Sequence, residues 1–179
     1  MIKMNAKQLR SHQPSAISHQ QKTAHKKNEI YIILDNVLDT YNIGSIFRLC
    51  DALAVKKLYL CGGTETPPNH KIRKSSINTT EVVDWQYTAS ATEAISNIKF
   101  QMPNVKIVAV EQDSKSVPYD KYNYQTPIAL IVGHETEGVS KEVLDLCDAI
   151  VELPMFGINI SLNVMISLAV VLFKVIEKQ

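Results

Sequence analysis

Five short apolar runs punctuate the chain: EIYIIL (29–34), KKLYLC (56–61), VKIVAV (105–110), PIALIV (127–132) and AIVELP (149–154). Their apolar positions are nearly continuous, as in strands covered on both faces. Helical spacing recurs between them. Ile43, Ile46, Phe47, Leu49, Cys50 and Leu53 mark one face over 43–53, and 91–100 and 140–146 give shorter faces. Strands alternating with helices through short loops predict an α/β fold, a mostly parallel sheet with helices on both faces. Val82–Trp85 predicts one more short strand, following a polar stretch over 64–80 that reads as loop. The final segment, SLNVMISLAVVLFKVI, is the most hydrophobic, with Ser161 as its expected N-cap. It falls short of the ~20 residues needed to cross a bilayer. A core or interface helix is therefore expected, and no membrane partner.

Charge changes this picture at one end. The chain has 179 residues and a net charge of +1, but residues 1–27 carry six Lys/Arg, three His and no acid. The remainder, 28–179, holds 13 basic and 18 acidic groups, net −5. Residues 1–27 thus read as a basic flexible arm, too poor in apolar side chains to offset chain entropy, before one acidic domain over 28–179. A polyanion such as RNA suits that arm; a solvated tail is the alternative. The arm lacks the apolar core of a signal peptide. Three widely spaced cysteines (Cys50, Cys61, Cys147) match neither a disulfide framework nor a zinc site, and a reducing cytoplasm fits them.

In parallel α/β sheets ligands gather outside the carboxyl ends of the strands, so the segments that follow each strand carry the candidate chemistry. After 29–34 comes DNVLDTYNIGSIFR, where Asp39 or Asn42 can cap a helix and Gly44 admits a close backbone. Arg48 lies one turn beyond Gly44; an ion pair with Asp51 or with a neighbouring strand end is its ordinary reading, an active-site role the other. After 56–61 comes GGTETPPNHKIRKSSINTTE, in which Lys71, Arg73 and Lys74 stand among hydrogen-bonding residues. Such a segment suits a phosphate backbone, or plain solvent. After 127–132 comes GHETEGVS. Gly138 predicts a positive-φ turn and Ser140 a helix cap. Two carboxylates, Glu135 and Glu137, exceed what capping needs, so one is expected to meet a cationic ligand or an arginine. After 149–154 comes MFGINISLNV, with Asn163 expected as a buried amide that needs a defined partner. Neither GxGxxG nor GxxxxGK[ST] occurs, so neither a dinucleotide fold nor a P-loop is supported.

Three of these stretches, in this order, resemble the motifs of the SpoU (TrmH-like) branch of the SPOUT RNA methyltransferases. Asn42, Gly44 and Arg48 fall on the family's N-x-G-x-x-x-R. Gly133, Glu135 and Gly138 fall on G-x-E-x-x-G. Pro154, Met155, Gly157, Ser161, Leu162 and Asn163 fall on P-M-x-G-x-x-x-S-L-N-V. The resemblance covers 29–179 and implies a C-terminal trefoil knot, a homodimer, and methyl transfer from S-adenosylmethionine to a ribose 2′-hydroxyl of tRNA or rRNA; the sequence shows no metal ligand set, and no metal is expected. Carried over by position, it assigns Arg48, Asn42, Glu135, Ser161 and Asn163 to catalysis. It assigns Val110, Glu111, Gly133, Gly138, Leu153, Met155, Gly157 and Leu162 to the cofactor. His134 departs from the Asn many relatives carry, Met165 from a second Ser, and KSSIN from an Ala-Leu-Gly.

The resemblance makes Arg48 the catalytic arginine. A guanidinium is a poor base near neutrality, because its pKa exceeds about 12. It is therefore expected to hold a phosphate or lower the hydroxyl's pKa by its charge, with a base role left open. Asn42 and Glu135 are expected to fix Arg48, Ser161 and Asn163 to shape the pocket floor, and Glu137 to be solvated. Two other readings remain: a non-catalytic RNA-binding protein of the same fold, and an unrelated nucleotide-binding regulator.

Overall fold

The computed structural model describes residues 27–178; apart from Lys27, the basic arm expected at 1–27 lies outside the described residues. Seven strands form one sheet: β1 Asn28–Asp35, β2 Val55–Cys61, β3 Trp85–Thr88, β4 Lys106–Val110, β5 Val117–Pro118, β6 Ile128–Gly133 and β7 Ala149–Glu152. Their order is β3-β2-β1-β6-β4-β7-β5, and every paired neighbour runs parallel. The helices are α1 Thr40–Ala52, α2 His70–Ser76, α3 Ala91–Gln101, α4 Lys141–Leu144 and α5 Val164–Glu177.

The central strands are apolar on both faces because both faces are covered. Ile30, Ile32 and Leu34 of β1 join Ile128, Leu130 and Val132 of β6 in a core that also takes side chains of α1, α2 and α5. Tyr31 and Ile33, with Ala129 and Ile131, face the other way onto α3 and α4. Helix α5 is rich in β-branched residues, a preference that costs at most ~0.7 kcal/mol per position. It buries Leu168, Val171, Leu172 and Val175, each contributing roughly 1.5–3 kcal/mol. Burial outweighs propensity.

Three expectations are corrected. The stretch 64–80 is not all loop: Asn69 accepts the amides of Lys71 and Ile72 and starts α2, which buries Ile72. A single apolar anchor is too little to show as periodicity. The strand expected at Val82–Trp85 begins at Trp85 instead, because Thr79–Glu81 forms a 3-10 turn and the amides of Val82 and Val83 bond back to Thr79. Helix α5 starts at Val164, not at Ser161. Asn163 is its cap, accepting from Met165 and Ile166, and Asn163 is exposed rather than buried.

Candidate active site

Sheet register brings the strand ends to one rim: Asp35 of β1 pairs with Gly133 of β6, and Val110 of β4 with Val151 of β7. Above it the segments after β4, β6 and β7 enclose a cleft of about 600 Å³. Glu111, Glu135, Glu137 and Glu152 line it, and among the described residues no Lys or Arg does.

The 133–140 loop is shaped by its own main chain and by two carboxylates. His134 and Gly138 exchange both backbone hydrogen bonds (3.0 and 2.8 Å), and Gly138 takes φ +73°. A Cβ on Gly133 would stand 2.2 Å from the Gly138 carbonyl, and one on Gly138 would stand 2.3 Å from a Glu111 carboxylate oxygen. Glu111 Oε2 accepts the Val139 amide at 2.9 Å. From the opposite side, buried Asp35 accepts both the amide (2.9 Å) and the hydroxyl (2.7 Å) of Ser140. Ser140 precedes α4 as expected but makes no side-chain cap, because its hydroxyl serves Asp35. His134 Nδ1 accepts the amides of Thr136 and Glu137 at 3.0 and 3.2 Å. That is the bond an Asn oxygen makes in an Asx turn, so His134 can serve where the family resemblance leads one to expect Asn.

Glu135 reaches the start of α1. Its oxygens accept the amides of Leu38 (3.1 Å) and Asp39 (2.9 Å) and the side-chain amide of Asn42 (3.1 Å). Asn42 Oδ1 accepts in turn from Asn163 Nδ2 at 3.0 Å. One line of hydrogen bonds, Glu135–Asn42–Asn163, thus joins residues of all three sequence motifs. Desolvation pushes the Glu135 pKa upward, but the amides of Asp39 and Leu38 and the Asn42 side chain outweigh it and hold the carboxyl below its ordinary value. The expectation that Glu135 and Asn42 fix Arg48 is therefore corrected: their bonds go to the helix start and to Asn163.

Of the residues assigned to the cofactor, Val110, Glu111, Gly133, Gly138, Leu153, Met155 and Leu162 line the cleft. Gly157 does not, and nothing lies within 4 Å of where its Cβ would be. Glu135, Ser161 and Asn163 line the cleft too, while Asn42 touches it through its two partners. Arg48 is exposed on α1 outside the cleft, and among the described residues it forms neither the ion pair with Asp51 nor any other. Asp39, not Asn42, caps α1. Asp35 and Ser140 are the positions that motif reading passes over. The available signal for Asp35 is a carboxylate closing an apolar strand. The three cysteines are free thiols; burial pushes all three upward, Cys61 and Cys147 to about 12. Among the described residues no cluster of three or more His, Cys, Asp or Glu is arranged to hold a metal, and no helix is long and apolar enough to cross a membrane.

Residues 29–173 match the SpoU rRNA Methylase family. The chain belongs to that family. A tRNA (guanosine(18)-2′-O)-methyltransferase of Aquifex aeolicus is 28% identical over 152 residues, 83% of this chain and 69% of the relative. A 23S rRNA (guanosine-2′-O-)-methyltransferase of Haemophilus influenzae is 25% identical over 156 residues, 87% of this chain and 63% of the relative. Among solved structures, an AdoMet-bound rRNA methyltransferase from Sinorhizobium meliloti superposes with TM-score 0.77 at 26% identity, covering 85% of this chain and 57% of that one. The SpoU chain thus spans little more than half of some relatives, and between its matched ends it shares their fold.

Proposed function

We propose that the chain transfers a methyl group from S-adenosylmethionine to a ribose 2′-hydroxyl of tRNA or rRNA. Family membership supports the reaction class, as do relatives named for 2′-O-methylation of tRNA and rRNA. The observation that carries the reading is the Glu135–Asn42–Asn163 line beside a cleft lined by carboxylates. The cleft falls in the usual range for small-ligand sites, roughly 300–1,000 Å³. Its acids suit a ligand bearing sulfonium and ammonium charges, and glycines and aliphatic residues leave main-chain groups open to a purine.

In this reading Gly133, Leu153 and Leu162 hold the adenosine, with Val110, Met155 and Gly138 shaping the walls. When bound, S-adenosylmethionine supplies a methyl on a sulfonium that leaves as a neutral thioether while the ribose oxygen forms the new C–O bond. The protein's part is positioning and charge. Asp35 and Glu111 set the 133–140 loop by holding consecutive amides. Glu135 and Asn42 lock the start of α1 to that loop, and Asn163 ties in the segment carrying Ser161. Arg48, charged at any physiological pH, meets the target nucleotide and favours loss of the hydroxyl proton to water.

Arg48→Ala separates a catalyst from a binding module. Methyl transfer is expected to fall by about 10²-fold or more while calorimetric S-adenosylmethionine affinity is kept. A normal rate would sink the role given to Arg48.

The finer architecture is proposed with it. β6 lies between β1 and β4, and β7 between β4 and β5, all laid down earlier in the chain; such late insertions support a C-terminal trefoil knot. Phe156, Ile158 and Ile160 are at least 80% exposed, and Phe173 of α5 is 57% exposed, which supports burial against a second copy as a homodimer. The 1–27 arm supports RNA contact by charge alone, and free thiols suit the cytoplasm.

A further inference from the structure

We propose that α2, together with the exposed stripe of α1, is the surface on which the RNA substrate docks; this rests on the methyltransferase reading above. Within the acidic body, residues 66–80 contain three cations and no acid. Lys71, Arg73 and Lys74 are all exposed, and among the described residues none is in an ion pair. Unpaired surface cations are common among the described residues; what sets α2 apart is three of them on a helix of seven residues that carries no acid.

The packing of α2 places these cations beside the motif helix. Gly44 of α1 lies so close to α2 that a Cβ would stand 1.9 Å from the Ser75 hydroxyl and 2.7 Å from the Ile72 carbonyl. The Ser75 hydroxyl is also within 3.3 Å of the Thr40 carbonyl, the first residue of α1. Arg48 follows Gly44 by four residues, about 6 Å along the axis at 1.5 Å per residue. Tyr41 precedes Arg48 by seven, two helical turns, so the two share a face, and Tyr41 is 52% exposed. Three residues after Lys74, Ile77 is 59% exposed and holds φ +51°. Ile77 is the C-cap that ends α2 in a left-handed turn, and it adds exposed apolar surface at the end of that helix.

These groups match what RNA presents. Phosphates attract unpaired Lys and Arg, which position the strand without reading sequence. An exposed tyrosine offers a stacking face to a base displaced from its helix. The phosphate anchors on α2 and the stacking face of Tyr41 both lie at the N-terminal half of the helix that carries Arg48, so a strand bound across both helices runs toward the arginine.

The test uses the full chain, with tRNA and rRNA fractions as separate arms. In wild type, log affinity falls with log salt; each phosphate contact contributes about 0.7–0.9 to the slope. Lys71→Ala/Arg73→Ala/Lys74→Ala is expected to make that slope shallower by about 2–3 for the fraction that is methylated, with KM for that RNA raised at least roughly tenfold. Tyr41→Ala is expected to weaken binding by about tenfold and Tyr41→Phe to restore it. Unchanged S-adenosylmethionine affinity shows that each variant is folded. A wild-type slope and KM in the triple variant overturn the surface, as does a change confined to self-association in light scattering. If wild type methylates and binds RNA while these variants are unaffected, only the docking surface falls. If wild type neither binds nor methylates either fraction, the functional reading falls with it.

Discussion

At the scale of single residues, Glu135 commits both oxygens to donors at the head of α1, nearly a hundred positions earlier in the chain. Glu135→Gln keeps one acceptor and turns an amide toward N–H groups. The side chain is largely exposed, so solvent screening limits the loss to about 1 kcal/mol, or roughly 2–4 °C in Tm for a domain of this size. The sign of the pH dependence follows from a lowered folded pKa. The stabilisation is full above the ordinary glutamate value and is lost as pH falls through the lowered one. The Tm gap between wild type and variant is therefore expected to be constant near neutrality and to close in acid. A gap that persists in acid would show that charge plays no part. His134 gives a second check through its two amide bonds. His134→Asn should hold S-adenosylmethionine affinity near wild type, and His134→Ala should weaken it roughly five- to tenfold; equal losses in both would remove the turn argument. A carboxylate in GHETEGVS is conspicuous in the sequence, but its partners are not. Local pattern carries no information on which distant amide a side chain meets: the sequence points Glu135 to an arginine, and the fold gives it the start of α1.

At the scale of elements, the contact of α1 with α2 turns on Gly44. Gly44→Ala gains less than about 1 kcal/mol from helix propensity. The new Cβ meets a backbone carbonyl at 2.7 Å as well as the movable Ser75, and such overpacking costs typically 1–3 kcal/mol. A net loss of stability in urea is expected, only partly recovered by adding Ser75→Gly; unchanged or higher stability would mean that the helices are not in this contact. Elements with continuous apolar runs or a full helical face, such as β1, β6 and α1, are legible from the sequence because burial on both sides leaves an unbroken signature. Those resting on one anchor are not. Helix α2 buries Ile72, the 3-10 turn takes the amides of Val82 and Val83, and α5 is capped by Asn163 rather than Ser161. Each is decided by a hydrogen bond that residue spacing does not record.

At the scale of the whole molecule, parallel strands and a ligand site at their carboxyl ends follow from alternation of strands and helices. Strand order does not, since nothing local tells β6 to enter between β1 and β4. That insertion brings the loop after β6 to both Asp35 and Glu111, while α5, in the same core as α1, brings its cap Asn163 to Asn42. The site is thus a product of topology, and its motifs, scattered along the chain, converge only in the fold. The most direct measurement is transfer of labelled methyl from S-adenosylmethionine into separated tRNA and rRNA that lack the modification, followed by mass spectrometry of the nucleosides. A 2′-O-methylated nucleoside in one fraction is expected. Methyl on a base, or no transfer to either RNA by protein that binds S-adenosylmethionine, would contradict the assignment of this cleft to ribose methylation.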